Sequence, residues 1–416
     1  MSTRRLLTRV SFAFVLGFGG VAFAGQHDPS GQPGAPSDTP SRAPTVQGIV
    51  ERIRSGELPD NPLFIPTAER RVVFANSEYF APVRGIVPTG NAYPLSSAPE
   101  DLSGITYPVG DNRFTLGEFL AREPLMGFLV VRDGQRVLEH YAPDHRPDTR
   151  WVSFSIAKSV TSLLIGAAVK DGYIISLDDR VTDYLPRLRN SAYDEVSIRH
   201  LLQMASGVAW SEDYSDPKSD VAKAGALGGV ALTTYLAERP RAYPSGGNFN
   251  YNTGEANLTG ELLRAAIGNN ASAYLTQKVW GPFGMEFDAT WLLDAPNGGE
   301  TGGCCLNATL RDYARLGLFA MNDGVLPNGE RVLPDGWMTR SVAPSKGASD
   351  YGYMWWRYPG GRYNAGGIYG QKIFIDPETR TVIAVHSNAK TAIDSVYATH
   401  LEAVLMAVTD SFRGAL

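Results

Sequence analysis

Strand-like segments stand at both ends of the main body of this chain, and this arrangement constrains the fold more than any other feature of the sequence. Near the start, residues 127–131 and 137–141 flank Asp133-Gly134, a pair typical of a two-residue hairpin turn. Near the end, further strands are predicted at 353–358, 371–376 and 381–387. Strands from both ends can share one sheet while the residues between them form a separate layer.

Helical periodicity fills the middle of the chain. Apolar residues at spacings of three and four predict a helix that begins at Ser155 and ends before Asp171-Gly172. Others are predicted after Ser197, near 258–266 and 310–317, and at 392–409. The predicted fold class is therefore α/β, of the α+β type. It has an antiparallel sheet built from both chain ends, flanked by helices, with a mainly helical subdomain inserted at about 172–340.

The N-terminus has the pattern of an export signal. Three arginines within residues 4–9 precede an apolar run from Val10 to Phe23, and Ala22-Phe23-Ala24 has the small-x-small form of a cleavage site. A membrane anchor is the alternative, but the run is shorter than the ~20 residues that a bilayer span needs. Residues 1–24 are thus predicted to be a signal peptide, and the protein to be exported. It would be periplasmic in a Gram-negative source and otherwise secreted.

Composition divides the remainder into three regions. Residues 25–46 are rich in proline, glycine and serine and are predicted to be a flexible linker. Residues 47–110 carry short apolar patches broken by prolines, and we interpret them as an N-terminal extension that wraps the main domain. The main domain is predicted to be 111–416.

Charge, histidine and cysteine content exclude several classes of protein. A net charge of −5 over 416 residues gives no reason to expect nucleic acid or an anionic membrane as a partner. No segment after the signal is apolar for the length of a span. Six scattered histidines and two cysteines do not form a metal-binding pattern, so no metal is expected, and the chemistry expected below requires no organic cofactor. The adjacent Cys304-Cys305 pair is predicted to be two small buried thiols rather than a disulfide. Oligomeric state is left open.

The first candidate for chemistry is Ser-x-x-Lys, which begins at Ser155, at Ser215 and at Ser387. A serine hydroxyl needs a neighbouring base to act as a nucleophile, and residues three apart on a helix share a face. Only the copy with Ser155 and Lys158 opens an apolar helix, where burial would lower the pKa of the lysine. The alternative is an ordinary helix-capping serine with a surface lysine.

The second candidate is Tyr251, which lies in the polar, glycine-flanked segment 248–254 just before a predicted helix. A tyrosine beside a lysine ammonium can accept or relay a proton. The alternative is a turn aromatic that packs on the surface.

Several segments, taken in order, resemble a known group of enzymes. They are the Ser155 segment 151–159, the turn 171–179, Ile198–Gly207, Tyr251-Asn252-Thr253 and Leu310–Gly317. The chain resembles, over roughly residues 115–410, the serine hydrolases that include class C β-lactamases, D,D-peptidases and family VIII esterases. Within that group it is most similar to the 6-aminohexanoate-dimer hydrolases. The resemblance implies Ser155, Lys158 and Tyr251 as the catalytic residues.

The resemblance also implies the rest of the site. The oxyanion hole would be the backbone N–H groups of Ser155 and Ile368. Gly366 and Gly367 would let the substrate approach the strand edge, and Tyr214 would close over it. The Lys-Thr-Gly motif of the group falls on Ala365-Gly366-Gly367, and Thr253 replaces an asparagine. The missing lysine and threonine side chains make β-lactamase activity doubtful, whereas acyl transfer is still expected.

The expected function is cleavage of a small-molecule amide through an acyl-serine intermediate, similar to that of 6-aminohexanoate-oligomer hydrolases. One alternative is a short-chain carboxylesterase with the same site. A second is a cell-wall or β-lactam binding module that retains the fold without turnover.

Overall fold

The computed structural model describes residues 44–122 and 124–414. The predicted signal peptide 1–24 lies outside the described residues, as does most of the predicted linker 25–46. Fourteen α-helices occur in the described part: α1 Val46–Arg54, α2 Thr67–Ala75, α3 Leu116–Leu120, α4 Ile156–Lys170, α5 Val181–Tyr184, α6 Ile198–Leu202, α7 Asp220–Ala224, α8 Gly229–Ala237, α9 Thr253–Ile267, α10 Ala271–Leu275, α11 Gly281–Phe283, α12 Leu310–Met321, α13 Trp337–Ser341 and α14 Ser395–Arg413.

The strands of the described part number thirteen: β1 Val83–Ile86, β2 Ser96–Ser97, β3 Thr106–Val109, β4 Asn112–Thr115, β5 Leu125–Arg132, β6 Gln135–Tyr141, β7 Trp151–Val152, β8 Ala289–Leu292, β9 Leu306–Ala308, β10 Trp356–Arg357, β11 Tyr363–Gly367, β12 Gln371–Asp376 and β13 Thr381–Ser387. The main sheet has seven strands in the order β10-β11-β12-β13-β5-β6-β2. The antiparallel pairing of β13 with β5 joins the two ends of the main body, as the sequence predicts.

The hairpin β5–β6 shows why the sequence signal there is strong. Asp133 and Gly134 both have positive φ, 49° and 78°, which a two-residue turn of the primed type requires. All but the last residue of β5 are buried, because helices cover one face of the sheet and the extension with α14 covers the other. The mixed α/β fold class is confirmed.

Helix α4 passes through the centre of the molecule. All of its residues except Val169 and Lys170 are buried, and it packs against α9 and against the sheet. A helix that is apolar on every side is stable only inside a core. The residue that begins this helix, Ser155, is consequently held by packing on all sides.

The N-terminal extension is part of the core. Its buried residues Ile49, Val73, Phe74 and Phe80 belong to the same apolar cluster as β5, β13 and Val404 of α14. The extension also supplies β1 to a second sheet, of order β1-β8-β9-β7.

One expectation about secondary structure is corrected. The strand predicted at 353–358 is only β10, because Met354 adopts φ 60° and turns the backbone away from an extended path. The inserted region is mainly helical, and the two short strands within it, β8 and β9, pair with β1 and β7. Within residues 44–122 and 124–414 no helix is long and apolar enough to cross a bilayer.

Candidate active site

Ser155 stands at the junction between β7 and α4. The preceding residue, Phe154, has φ 47°, and its ring packs 4.9 Å from Phe74 and 5.3 Å from Tyr369, measured between centroids. These contacts hold a sharp turn that directs the next residue out of the strand. Ser155 is 9% exposed and lines a pocket, so its hydroxyl is buried yet reachable from the pocket.

Lys158 lies one helical turn further on and faces the same hydroxyl. Its Nζ is 2.8 Å from Ser155 Oγ, 3.0 Å from Thr253 Oγ1 and 3.1 Å from the carbonyl oxygen of Gly303. The residue is 1% exposed. Three oxygen partners fix the amine in position, and they leave its nitrogen within reach of the serine proton.

The pKa of Lys158 is lowered to about 8, chiefly by burial, while the carboxylate of Glu212 acts in the opposite direction. Burial penalises the charged ammonium more than the neutral amine. A substantial fraction of the amine is therefore unprotonated at mildly alkaline pH, and this form can accept a proton from Ser155.

Tyr251 lies on the other side of the lysine. Lys158 Nζ is 5.0 Å from the centroid of its ring, and the ring stacks on Trp356 at 5.6 Å. Burial and Glu212 raise the pKa of Tyr251 above its ordinary value, against the effect of its hydrogen bond with Ser155. A phenol with a raised pKa keeps its proton near neutral pH, so Tyr251 is placed to donate or relay a proton rather than to act as a phenolate.

Glu212 and Thr253 complete the network, and the sequence analysis gave neither of them a role. Glu212 accepts hydrogen bonds from the Thr253 hydroxyl, from the Thr253 N–H at 3.0 Å and from the Tyr214 hydroxyl at 2.7 Å. The threonine that replaces asparagine in the Tyr251 motif thus connects Lys158 to a carboxylate. The sequence offered one sign that Glu212 belongs to the site, which is its position two residues before Tyr214.

Strand β11, which ends just before Ile368, approaches Ser155 through a close backbone contact. A Cβ on Gly367 would clash with the carbonyl oxygen of Ser153 and would lie 3.2 Å from Phe154 Cβ. Glycine at 367 therefore lets β11 pack against the residues just before the nucleophile, and Ile368 lines the same pocket as Ser155.

Neither Gly366 nor Gly367 lines the Ser155 pocket, and their role beside the substrate stays a prediction. The space beside Gly366 is taken by Asn364 Oδ1 and Lys372 Nζ, 3.0 and 3.3 Å from where its Cβ would be. The space beside Gly367 is taken by protein backbone rather than by substrate. Tyr214, in contrast, lies in the pocket wall as expected.

The other Ser-x-x-Lys copies do not form such a pair. Ser215 is exposed and donates to Asp213 Oδ1 at 2.6 Å, and Lys218 is exposed as well. Ser387 is buried and donates to the Pro124 carbonyl at 3.0 Å, whereas Lys390 is exposed. Among the described residues, no group of histidine, cysteine and acidic side chains could hold a metal ion.

Cys304 and Cys305 line the pocket, and the expectation of two thiols is corrected, because the structure joins them in a disulfide. A tight turn, in which the Cys304 N–H donates to the Thr301 carbonyl at 3.2 Å, brings the two side chains together just before β9. The preceding carbonyl, that of Gly303, is the one that binds Lys158.

A buried serine–lysine pair beside a tyrosine, on an antiparallel sheet with a helical insert, defines the class of serine hydrolases with this fold. The β-lactamase family model matches residues 115–405, and the chain belongs to that family. Its relatives are named as hydrolases and esterases, and the chain is a hydrolase of this fold.

Three relatives illustrate the likeness. The 6-aminohexanoate-dimer hydrolase of Paenarthrobacter ureafaciens is 29% identical over 279 residues, which are 62% of this chain and 70% of that protein. A solved Bacillus anthracis protein, provisionally assigned as a 6-aminohexanoate-dimer hydrolase, has a TM-score of 0.71 at 23% identity and covers 82% of this chain and 94% of its own. A solved family VIII carboxylesterase has a TM-score of 0.55 at 17% identity, and the match covers 70% of this chain and 96% of the esterase.

Proposed function

We propose that this hydrolase cleaves an amide bond of a small molecule by two-step acyl transfer, with Ser155 as the nucleophile. The observation that carries the proposal is the buried amine of Lys158, 2.8 Å from the Ser155 hydroxyl and with its pKa lowered to about 8. A serine becomes reactive when such a base can take its proton.

In the first step, Ser155 Oγ forms a bond to the substrate carbonyl carbon while its proton passes to the neutral Lys158 amine. The carbonyl oxygen becomes an oxyanion, for which the backbone N–H groups of Ser155 and Ile368 are the proposed donors. The tetrahedral intermediate then collapses, and the bond to the leaving group breaks. The leaving amine takes a proton from Tyr251, and the Lys158 ammonium returns a proton to Tyr251, so an acyl-serine ester, a protonated phenol and a neutral Lys158 amine remain.

In the second step, water attacks the acyl-serine ester. The neutral Lys158 amine accepts a proton from the water, and the same two N–H groups stabilise the second oxyanion. Collapse of this intermediate returns the proton to Ser155 Oγ and releases the carboxylic acid. Ser155, Lys158 and Tyr251 carry the protons in this cycle, and the two backbone N–H groups stabilise the oxyanions.

The choice of an amide rests on the relative from Paenarthrobacter ureafaciens, whose name describes hydrolysis of 6-aminohexanoate dimer. A short-chain carboxylesterase is the second candidate. It is favoured by the apolar lining of the Ser155 pocket and by the absence of lysine and threonine side chains at Ala365-Gly366-Gly367. Parallel kinetics on a p-nitroanilide and a p-nitrophenyl ester of one acyl group separate the two, because the acyl-enzyme is common to both.

The test of the nucleophile is hydrolysis of p-nitrophenyl butyrate together with intact mass after acid quench. We expect turnover and a transient butyryl mass for the parent, and neither for Ser155→Ala. Ser215→Ala, in an exposed copy of the same motif, is the matched control and should behave as the parent. Turnover by Ser155→Ala near the parental rate would contradict the proposal. A stable adduct without turnover would favour the binding-module alternative.

We also propose that the protein is exported, on the strength of the arginine-rich start, apolar run and Ala22-Phe23-Ala24 of residues 1–24. Fractionation of the expressing bacterium, with N-terminal sequencing of the mature form, tests this proposal. A new N-terminus at Gly25 outside the cytoplasm is expected, and an intact Met1 in the cytoplasmic fraction would refute it.

A further inference from the structure

The Ser155 pocket has a volume of about 380 Å³ and is lined mainly by apolar groups. Leu63, Phe80, Leu227 and Leu292 are among its wall residues, and Ser155 and Ile368 lie in the same wall. At roughly 30 Å³ for each water-sized group, the volume suits about a dozen such groups, and because the reacting carboxyl group and its surroundings take part of this room, about six to eight methylene or methyl groups fill the rest. An apolar pocket that opens onto a nucleophile favours an apolar part of the substrate.

One wall of this pocket comes from residues 61–82, which lie outside the family match at 115–405. Asn61, Pro62 and Leu63 contribute from one turn, and Val73 and Phe74 from α2. The family domain alone therefore does not enclose the pocket, because the N-terminal extension closes it.

The wall is bonded to the turn after β11 that contains Ile368. The Tyr369 hydroxyl donates to the Leu63 carbonyl at 3.0 Å, and the Arg70 guanidinium lies 4.2 Å from the centroid of the Tyr369 ring. Arg70 is 3% exposed and also donates to the Ala389 carbonyl at 2.6 Å. These contacts fix residues 61–82 relative to Ile368, so the wall is a rigid part of the site.

The position of Tyr251 indicates which half of the substrate the pocket receives. Tyr251 is the proposed proton donor to the leaving group, and it packs on Trp356 rather than in the pocket wall. The leaving group must face Tyr251 to be protonated. The acyl group then extends the other way, into the Ser155 pocket.

We propose that residues 61–82 are the specificity-determining wall of an acyl pocket that selects a linear, apolar acyl chain of about six to eight carbons. This inference rests on the proposed function. Each methylene that enters the pocket should raise kcat/KM about fourfold until the pocket is filled, which is the burial free energy of one methylene expressed as a rate ratio. Longer chains protrude and gain nothing more.

The first experiment measures kcat/KM of the whole protein on p-nitrophenyl acetate, butyrate, hexanoate, octanoate and laurate. A rise from acetate to hexanoate or octanoate, followed by a fall at laurate, is expected. A maximum at acetate, or a flat series, would overturn the inference while leaving Ser155-dependent turnover intact. If no ester acylates Ser155, the proposed function fails and the inference falls with it.

The second experiment narrows the pocket from the extension. Leu63→Trp should lower the hexanoate-to-acetate ratio of kcat/KM at least tenfold, and its backbone carbonyl still accepts the Tyr369 hydroxyl. Phe64→Trp is the matched control, because Phe64 is 41% exposed and lies outside the pocket wall. Ala81→Leu also narrows the pocket from within residues 61–82 and replaces Leu63→Trp if that variant does not fold. If both narrowing variants had the hexanoate-to-acetate ratio of kcat/KM of the parent, the assignment of residues 61–82 as the wall of the acyl pocket would be overturned.

Discussion

The amine of Lys158 lies 2.8 Å from the hydroxyl of Ser155, and both groups are carried at the start of one buried helix. Because the pKa of this lysine is lowered to about 8, kcat/KM should rise with pH and reach half its maximum near pH 8. The raised pKa of Tyr251 keeps the phenol protonated over this range. The measurement is the pH profile of kcat/KM on a neutral ester between pH 6 and 9.5, corrected for spontaneous hydrolysis. A profile that is flat or falls with pH would exclude the lysine as the base.

The negative charge of Glu212 should influence the pH at which kcat/KM reaches half its maximum. Its carboxylate raises the pKa of Lys158, so Glu212→Gln should move the rising limb to lower pH. The glutamine retains one oxygen that can accept from the Thr253 hydroxyl, but its amide nitrogen cannot accept from the Thr253 N–H, so circular dichroism is used to check that the variant folds. Glu238→Gln, at an exposed acidic residue, is the control and should leave the limb in place. A profile unchanged in Glu212→Gln would mean that the carboxylate does not act on the lysine.

Two neighbouring glycines should differ sharply in their response to alanine. The Cβ of Gly367→Ala would clash with the Ser153 carbonyl and push the Ile368 N–H away from the site. Loss of one oxyanion donor costs about 10²–10³ in kcat, and a loss of this size is expected. Gly366→Ala meets only the ends of the Asn364 and Lys372 side chains, and its kcat should stay within about tenfold of the parental value. Equal activities, measured on one ester with circular dichroism to check folding, would contradict the proposed role of β11.

A buried histidine pair should make the fold sensitive to mild acid. His145 Nε2 lies 2.9 Å from His386 Nδ1, and burial lowers the pKa of His145 to about 4 and that of His386 well below its ordinary value. The unfolded chain therefore binds more protons, and stability is lost as the pH falls below about 6.5.

From His145 alone, the free energy of unfolding should fall by about 2 kcal/mol between pH 7.5 and pH 5. Urea unfolding at pH 7.5 and at pH 5 measures this change. The variant His145→Gln has no side chain that titrates between these pH values, so its free energy of unfolding should change less between them. Equal stability of the parent at both pH values would contradict this account.

Features of the fold and of the site could be predicted from the sequence where they depend on residues that are close together in the chain. Asp133-Gly134 predicts its hairpin because the turn needs only two residues with positive φ. Ser155 and Lys158 are predictable as a pair because helix geometry alone brings residues three apart together. Tyr251 needed the resemblance to a family, since its contact with Lys158 joins residues that are far apart in the sequence.

Two features of the site could not be predicted from the sequence, because both depend on contacts between distant segments. Glu212 accepts a hydrogen bond from Thr253, 41 residues away, and no local pattern in either segment predicts that bond. Residues 61–82 have proline-broken apolar patches without a clear period, so no pattern places them against Ser155. Their position follows from tertiary contacts, which pair α2 with β7 and the Leu63 carbonyl with the Tyr369 hydroxyl.

The hydrogen bond from Tyr369 to the Leu63 carbonyl joins residues 306 positions apart. It means that the family boundary near residue 115 does not mark a separable piece of this enzyme, because a chain cut there would lose a wall of its own pocket and leave the Tyr369 hydroxyl without this partner. The residues that shape the pocket wall and the residues that react are therefore in different parts of the sequence. Under the proposed assignment, changes within residues 61–82 can alter which substrate is accepted without changing Ser155, Lys158 or Tyr251.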